Sequence, residues 1–451
     1  MKRITIIGGG ASGTLLAVNL LNTAGDKPVE INLIERRSRV GRGVAFGTDQ
    51  TSHLLNVPAA KMGAFPDDIE HFHKWLTANG HGYDSHAFVP RKLFSEYLRD
   101  LLREASENKP QTAQLNFIDD EAVSIRIAND EATIGLRSKH TVMSDQVILA
   151  FGNFAPPHPS VPDLSFTSAE KYFQDPWSKR LYETIKPTDS IFVIGTGLSM
   201  IDVAMHYHQH GHQGQFTAIS TRGLLPALHE LGHTYPAFSD ELFPAKRITD
   251  VFKVVRKHFA NAEATGLNWR AVIDSLRPAT QRIWLELPLA EKRYFMQHLS
   301  RYWNVARHRV PPEAGEMLEA MAESGKLGVL RGRLKSIVFE DGKFTLKYST
   351  GGAEHTVSAN ALVNCIGSQS DFNKVDSDLL RDLLGSGLLQ TDPLPFGINA
   401  TPEGSLIGAD GLESDKLFTL GTALKGILWE STAIPEIRTQ AKQLALKLLA
   451  N

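Results

Sequence analysis

Cysteine is almost missing from this chain: Cys365 is the only one in 451 residues. That excludes an intrachain disulfide, a C-x-x-C redox pair and a cysteine zinc cluster. An excess of one charge is missing too. With 48 Lys and Arg against 50 Asp and Glu, neither nucleic acid nor an acidic membrane is expected as the main partner. No apolar run is long enough to span a bilayer, and Met1-Lys2-Arg3 leads into an apolar strand without a signal-peptide core. A cytoplasmic location is the resulting expectation. The 42% hydrophobic and 22% charged content is that of an ordinary globular protein, long enough for two or three cores.

What is present is concentrated at the start. Ile4, Thr5, Ile6 and Ile7 form a short apolar strand that runs into Gly8-Gly9-Gly10-Ala11-Ser12-Gly13. A helix with Leu15, Leu16, Val18, Leu20 and Leu21 follows, and Val29 to Ile34 make a second strand that ends on Glu35. This β-α-β unit with a G-x-G-x-x-G turn predicts dinucleotide binding. Gly8 permits the tight turn, Gly10 lets the backbone approach a pyrophosphate, and Gly13 lets the helix pack close. The phosphates meet the positive end of that helix, and Glu35 can accept hydrogen bonds from a ribose diol. The basic, Gly-rich loop Arg36 to Gly47, with Arg36, Gly43 and Ala45, lies where the diphosphate continues.

A second unit follows further on. Ser190 to Ile194 is a strand, Gly195-Thr196-Gly197-Leu198-Ser199-Met200 the turn, and Gln215 to Ser220 the next strand. Met200 holds the third glycine position, which requires a more open helix approach. The second strand ends on Ser220-Thr221-Arg222, with no acid. Glu35 would repel a 2′-phosphate and Arg222 would pair with one, so this unit is predicted to take NADP(H) rather than NAD(H).

The two units share a plan. Strands over 123–127, 132–136 and 146–151 end at Gly152; strands over 334–340, 344–348 and 361–366 end at Gly367, with an Asp341-Gly342 hairpin turn. The fold class predicted is α/β: two Rossmann-like dinucleotide-binding domains, each with a β-meander, plus a helical insertion. Residues 1–155 and 368–451 make the first domain and 156–367 the second, with the insertion at about 224–326. That stretch, with helices expected over 248–259, 269–276, 289–303 and 312–324, is either an insertion or a substrate cap. No metal site is predicted. His206, His208, His210 and His212 alternate, only His206 and His210 are one turn apart, and no carboxylate partner is evident. Leu417 to Thr422 is a late strand ending in glycine at Gly421, and Thr432 and Pro435, on either side of Ile434, suit the start of a closing helix. Its positive end could stabilise negative charge on a bound group.

Paired nucleotide turns, each with a meander and a glycine-ending strand, resemble the two-dinucleotide-binding-domain flavoproteins, which hold FAD on the first unit and NAD(P)H on the second. The resemblance spans nearly the whole chain. More narrowly, Gly41 to Phe46, His53 to Ala59, Phe88 to Arg91 and Trp429 to Arg438 resemble a bacterial family of FAD/NAD(P)-binding proteins related to flavin-dependent amine N-hydroxylating monooxygenases. The resemblance implies that Gly8, Gly10, Ser12, Gly13 and Glu35 hold FAD, that the backbone at Val123 holds adenine, and that Gly421 and Thr422 meet the ribityl chain. Many relatives carry an aspartate after that late glycine, and Thr422 does not supply its charge. Asn56 and Val57 face the isoalloxazine in relatives, and Gly195, Gly197, Leu198, Ser199 and Arg222 match NADP(H) positions.

A lone Cys365 cannot serve a disulfide reductase. The leading expectation is therefore an NADPH-using, FAD-dependent monooxygenase that acts on a small molecule with O2 through a flavin C4a-hydroperoxide, amine N-hydroxylation being favoured. Asn56 is the candidate tuning group, and Lys61 or Arg91 would fix a substrate anion; each is equally a surface ion pair or cap. The alternatives are an NADPH-dependent flavin reductase or an FAD oxidase of a small amine or thiol, and an FAD-holding redox sensor with 224–326 as its docking surface. The oligomeric state and the substrate stay open.

Overall fold

A computed structural model describes residues 1–36, 39–230, 232–243 and 245–450. Arg37 and Ser38 of the basic loop, and the terminal Asn451, lie outside the described residues.

Two sheets carry the molecule. The first has six strands in the order Ser405–Ile407, Glu413–Thr419, Gln146–Leu149, Lys2–Ile7, Val29–Ile34, Ala113–Ile118. Lys2–Ile7 pairs in parallel with Val29–Ile34 and with Gln146–Leu149. Such strands are covered on both faces, which is why they read as continuous apolar runs. The second sheet runs Leu327–Arg331, Phe216–Ser220, Ile191–Ile194, Ala361–Asn364, Tyr172–Phe173, and all its pairings are parallel.

Each sheet carries an antiparallel three-stranded meander, Ala122–Ala128/Glu131–Leu136/Thr141–Ser144 and Arg333–Glu340/Lys343–Thr350/Ala353–Ala359. The expected hairpin turn is present: Glu340 pairs with Lys343 around Asp341 (φ 50°) and Gly342 (φ 75°), the left-handed pair that a two-residue turn needs.

The helix Ala11–Thr23 is wedged between the first sheet and the C-terminal helix Ile434–Ala450. Leu15, Leu20, Ile437, Ala441 and Leu448 share one core there. Burying each large aliphatic chain contributes about 1.5–3 kcal/mol, so the end of the chain is bound firmly back onto its beginning.

The helical stretch differs from the sequence expectation in two places. The helix starting at Trp269 does not stop near Leu276 but runs to Glu286 through Pro278. An internal proline costs roughly 3 kcal/mol, which burial of Ala279, Thr280 and Trp284 helps to offset. The single helix expected over 289–303 is two, Leu289–His298 and Ser300–Arg307, jointed at Leu299. Pro312–Glu323 packs on Leu198–Gln209, with Met317, Leu318 and Met321 in the core of the second sheet. Trp284 and Phe295 are buried, whereas Tyr294 and Tyr302 are exposed.

The remaining helices close over the other unit. Ile248, Trp284 and Phe295 share a core with Leu394 and Trp429 of the C-terminal region. One face of the Trp269–Glu286 helix is hydrogen-bonded to the same region. Arg277 pairs through two nitrogens with Glu436 (2.8 and 3.0 Å), and Gln281 donates to the Glu430 carbonyl.

Candidate cofactor and substrate site

At the first turn, Gly8 has φ 109°, and a Cβ there would lie 2.6 Å from the Ala150 carbonyl oxygen. At Gly13 a Cβ would lie 1.9 Å from the Gly8 oxygen. No side chain fits either place without moving the helix off the strand. The helix is capped by Gly10 without any side-chain hydrogen bond, so no side chain occupies its first N–H groups. The Glu35 carboxylate accepts from the Gly9 N–H at 2.7 Å. Burial raises its pKa, opposed by that backbone bond and by Arg36 and Arg39.

The other residues expected around FAD gather near this turn. Gly43 packs directly over Gly10, the Cα of one being 3.2–3.5 Å from a Cβ built on the other. Ala45 follows in the one-turn helix Gly43–Phe46, and Arg36 is mostly exposed, 3.5 Å from Glu121. Val123 sits where the pairing register of its meander shifts between Ala122 and Ser124, which takes it out of step with the neighbouring strand. Gly421 approaches Ser12 so closely that a Cβ would lie 2.5 Å from the serine oxygen; its N–H donates to Gln440. Thr422 donates its hydroxyl to the Phe151 carbonyl at 2.9 Å, beside Gly152. Ile434 places its side chain in the core and opens the C-terminal helix. Thr432 lies two residues ahead of that helix.

The second turn repeats the first. Gly195 has φ 110° and faces the Cys365 carbonyl, 2.2 Å from a built Cβ, as Gly8 faces Ala150. Gly197 caps the helix Leu198–Gln209 with no side-chain bond, leaving Leu198 and Ser199 in its first turn. Met200 is fully buried beneath it. Gly367 has open space around its Cα. Beyond the strand tip, Arg222 lines a cleft of about 280 Å3 with Arg301, Arg331 and Arg333. Among the described residues, none of these four guanidiniums is paired with a carboxylate. Sequence reasoning missed three of them. The Arg331-Gly-Arg333 run was visible, but its place beside Arg222 follows from the pairing of Ser220 with Arg331.

Between the units lie Asn56, Val57, Lys61 and Arg91. The Asn56 carbonyl accepts from His229 Nε2 at 2.9 Å. Burial pushes the His229 pKa down to about 4, so the ring is neutral, carries its proton on Nε2 and leaves Nδ1 as an acceptor. Val57 packs against the first core. Lys61 is exposed on a short 3-10 turn whose Lys61 and Gly63 carbonyls accept from the buried Arg438 at 3.2 and 2.9 Å. Arg91 is occupied elsewhere: Nε donates to the Leu54 carbonyl and Nη2 pairs with Asp202 at 2.9 Å, both side chains being buried. The guanidinium expected to meet a substrate anion instead ties the first unit to the nucleotide helix of the second.

The C-terminal wall contains a strained turn. Trp429 has φ 61° and ψ −63°, and the Glu430 N–H donates to the Leu428 carbonyl at 2.7 Å. This is the rare γ-turn of positive φ, a conformation costing of order 1–3 kcal/mol. Stacking of Trp429 on Trp284 (5.0 Å) and the Trp303 and Arg307 bonds to Glu430 (3.1 and 3.3 Å) hold it.

Comparisons with known proteins agree with this arrangement. Residues 5–154 match the family model described as FAD-NAD(P)-binding. No curated protein matches the sequence. Among solved structures, an ornithine N-hydroxylase from Kutzneria sp. 744, recorded with reduced FAD, NADP+ and L-ornithine, is similar with a TM-score of 0.67 at 14% identity over 99% of this chain and 98% of that one. L-Lysine 6-monooxygenase from Pseudomonas syringae gives 0.66 at 14% identity over the same shares. Bacillithiol disulfide reductase from Bacillus cereus gives 0.56 at 13% identity over 100% and 99%. The chain therefore has the fold of the two-dinucleotide-binding-domain flavoproteins, and its N-terminal 5–154 segment matches an FAD-NAD(P)-binding domain.

Proposed function

We propose that this protein is an NADPH-using, FAD-dependent monooxygenase of a small molecule, with amine N-hydroxylation as the favoured reaction. The observation that carries the reading is the pairing of two nucleotide turns with a single, fully buried thiol, Cys365. Paired turns of this kind serve hydride transfer from a nicotinamide to a flavin. A chain with no cysteine pair to accept the electrons onward must pass them to an external acceptor. The solved structures of similar fold include ornithine and lysine hydroxylases as well as a disulfide reductase, and the lone thiol disfavours the last.

The residues fit the cofactors. The uncapped helix starting at Ala11, with Glu35 beside it, suits the pyrophosphate and ribose of FAD, and the bulge at Val123 frees backbone for adenine. The second turn and Arg222 suit NADP(H). When bound, FAD supplies the redox chemistry and the activation of oxygen.

The chain supplies the rest. Asn56, its carbonyl bonded to His229, and Val57 are the residues that would line the flavin ring. Lys61, held by Arg438 through its carbonyl, offers an ammonium to a substrate anion. Arg91 is a positioning residue that keeps the two units in register. The insertion, bonded to Glu430 and Glu436, closes the far side and excludes water.

The test is product stoichiometry. FAD-loaded protein is supplied with NADPH, oxygen and a panel of small amines. One hydroxylated product per NADPH supports the reading; hydrogen peroxide as the sole product with every amine overturns it in favour of an oxidase or flavin reductase.

A further inference from the structure

Four arginines converge on one cleft without a carboxylate among the described residues to neutralise them. Arg222 follows the strand Phe216–Ser220, while Arg331 and Arg333 flank Gly332 at the end of the neighbouring strand Leu327–Arg331. Gly223 packs against the backbone of Arg331, and the Gly332 N–H donates to the Ser220 carbonyl at 3.0 Å. These contacts fix the three strand-end arginines relative to the nucleotide turn.

The fourth has a different origin. Arg301 stands in the first turn of the helix Ser300–Arg307, within the helical insertion, and its hydrogen bond among the described residues goes to the Gln297 carbonyl of the preceding helix. Among the described residues no carboxylate pairs with it, and its one hydrogen bond is with a helix-end carbonyl. The cleft, at about 280 Å3, lies just below the usual range of roughly 300–1,000 Å3 for small-molecule sites, the scale of a phosphorylated sugar.

We propose that Arg301 is a specificity-determining ligand for the 2′-phosphate of NADP(H), so that the insertion, and not only the Rossmann strands, selects this coenzyme over NAD(H). The inference rests on the NADP(H) reading of the second turn. A guanidinium meets phosphate through two parallel N–H donors. A phosphate in the cleft would bridge sheet and insertion and supply the negative charge that its lining lacks. The same short helix carries Trp303 and Arg307 to Glu430.

The experiment is calorimetric binding of adenosine 2′,5′-bisphosphate and of 5′-AMP to the full chain, needing no turnover. The wild type is expected to prefer the bisphosphate strongly, with a preference that falls as salt rises. Arg301→Gln is expected to cut that preference by about 10-fold, a loss of about 1.4 kcal/mol, while leaving 5′-AMP affinity and the melting temperature unchanged. Arg301→Lys should recover part of it. A bisphosphate preference in Arg301→Gln equal to wild type, with Arg222→Gln impaired, overturns the inference and leaves the NADP(H) reading standing. A wild type without any preference overturns both.

Discussion

Removing Arg91 separates a clamp between the units from a substrate anchor. Its guanidinium lies 2.9 Å from Asp202, with side-chain exposures of only 13% and 8%. Truncation to alanine leaves a carboxylate buried beside Trp177, whose Nε1 is 3.4 Å away and cannot replace a full charge. Breaking such a pair from one side costs about 3–5 kcal/mol. At about 2–4 °C per kcal/mol, Arg91→Ala should lower the melting temperature by roughly 6–20 °C.

The pH dependence has a definite sign. Burial holds the Asp202 carboxyl above its ordinary range, against the pull of Arg91. Without the arginine the native carboxyl binds its proton tighter still than the unfolded one. The cost is therefore least at acid pH and grows as pH rises through the raised native value. Replacing both partners, Arg91→Met with Asp202→Asn, should recover most of the loss, because an uncharged pair carries no stranded ion. The assay is thermal unfolding followed at several pH values, with FAD retention measured alongside. An Arg91→Ala protein that melts like wild type but shows a raised KM would refute the clamp and restore the anchor.

Further outcomes follow from the same geometry. Gly13→Ala should purify without FAD, because its methyl would lie 1.9 Å from the Gly8 oxygen; a stoichiometric flavin content would contradict the turn assignment. Cys365→Ala should reduce FAD with NADPH at the wild-type rate, since a thiol buried in the second core takes no part in electron transfer; loss of that reduction with the fold intact would revive a thiol mechanism. Lys61→Ala should raise KM roughly 10-fold or more with kcat little changed, and Asn56→Ala should lower coupled hydroxylation while FAD stays bound; unchanged kinetics in either would remove that residue from the site. His53 and His206, buried with pKa values pushed down to about 3 and about 4, are neutral in the native state and bind protons once unfolded. Each should subtract about 1.4 kcal/mol of stability per pH unit as pH falls from about 6.5 toward its native pKa, and chemical denaturation at pH 7 and pH 5 that gives equal stability would contradict this.

What was legible in the sequence is what local chemistry specifies. Val29–Ile34 reads directly from its apolar pattern, Glu35 from its distance past the glycines, and the Asp341-Gly342 turn from residues that tolerate positive φ. Arg222 was found because the end of a strand after a nucleotide turn is a known place for a ribose. The helix from Trp269 extends past the expected end because burial of Trp284 carries it through Pro278, a residue that normally ends a helix. The site's supporting residues were illegible for a related reason. His229 reaches Asn56 across 173 positions, Arg438 reaches Gly63 across 375, and Arg91 meets Asp202 across 111. Nothing in the periodicity around any of them marks the partner. The Trp429 turn was equally hidden, because tryptophan has no preference for positive φ and is held there by stacking and by the bonds to Glu430.

The most direct measurement is anaerobic mixing of FAD-loaded protein with NADPH and, separately, with NADH, following the visible absorbance of the flavin. NADPH is expected to bleach the flavin rapidly, and NADH much more slowly at equal concentration. Absence of bleaching with either nucleotide, from protein that holds FAD, would contradict the claim that these two turns form one electron-transfer unit.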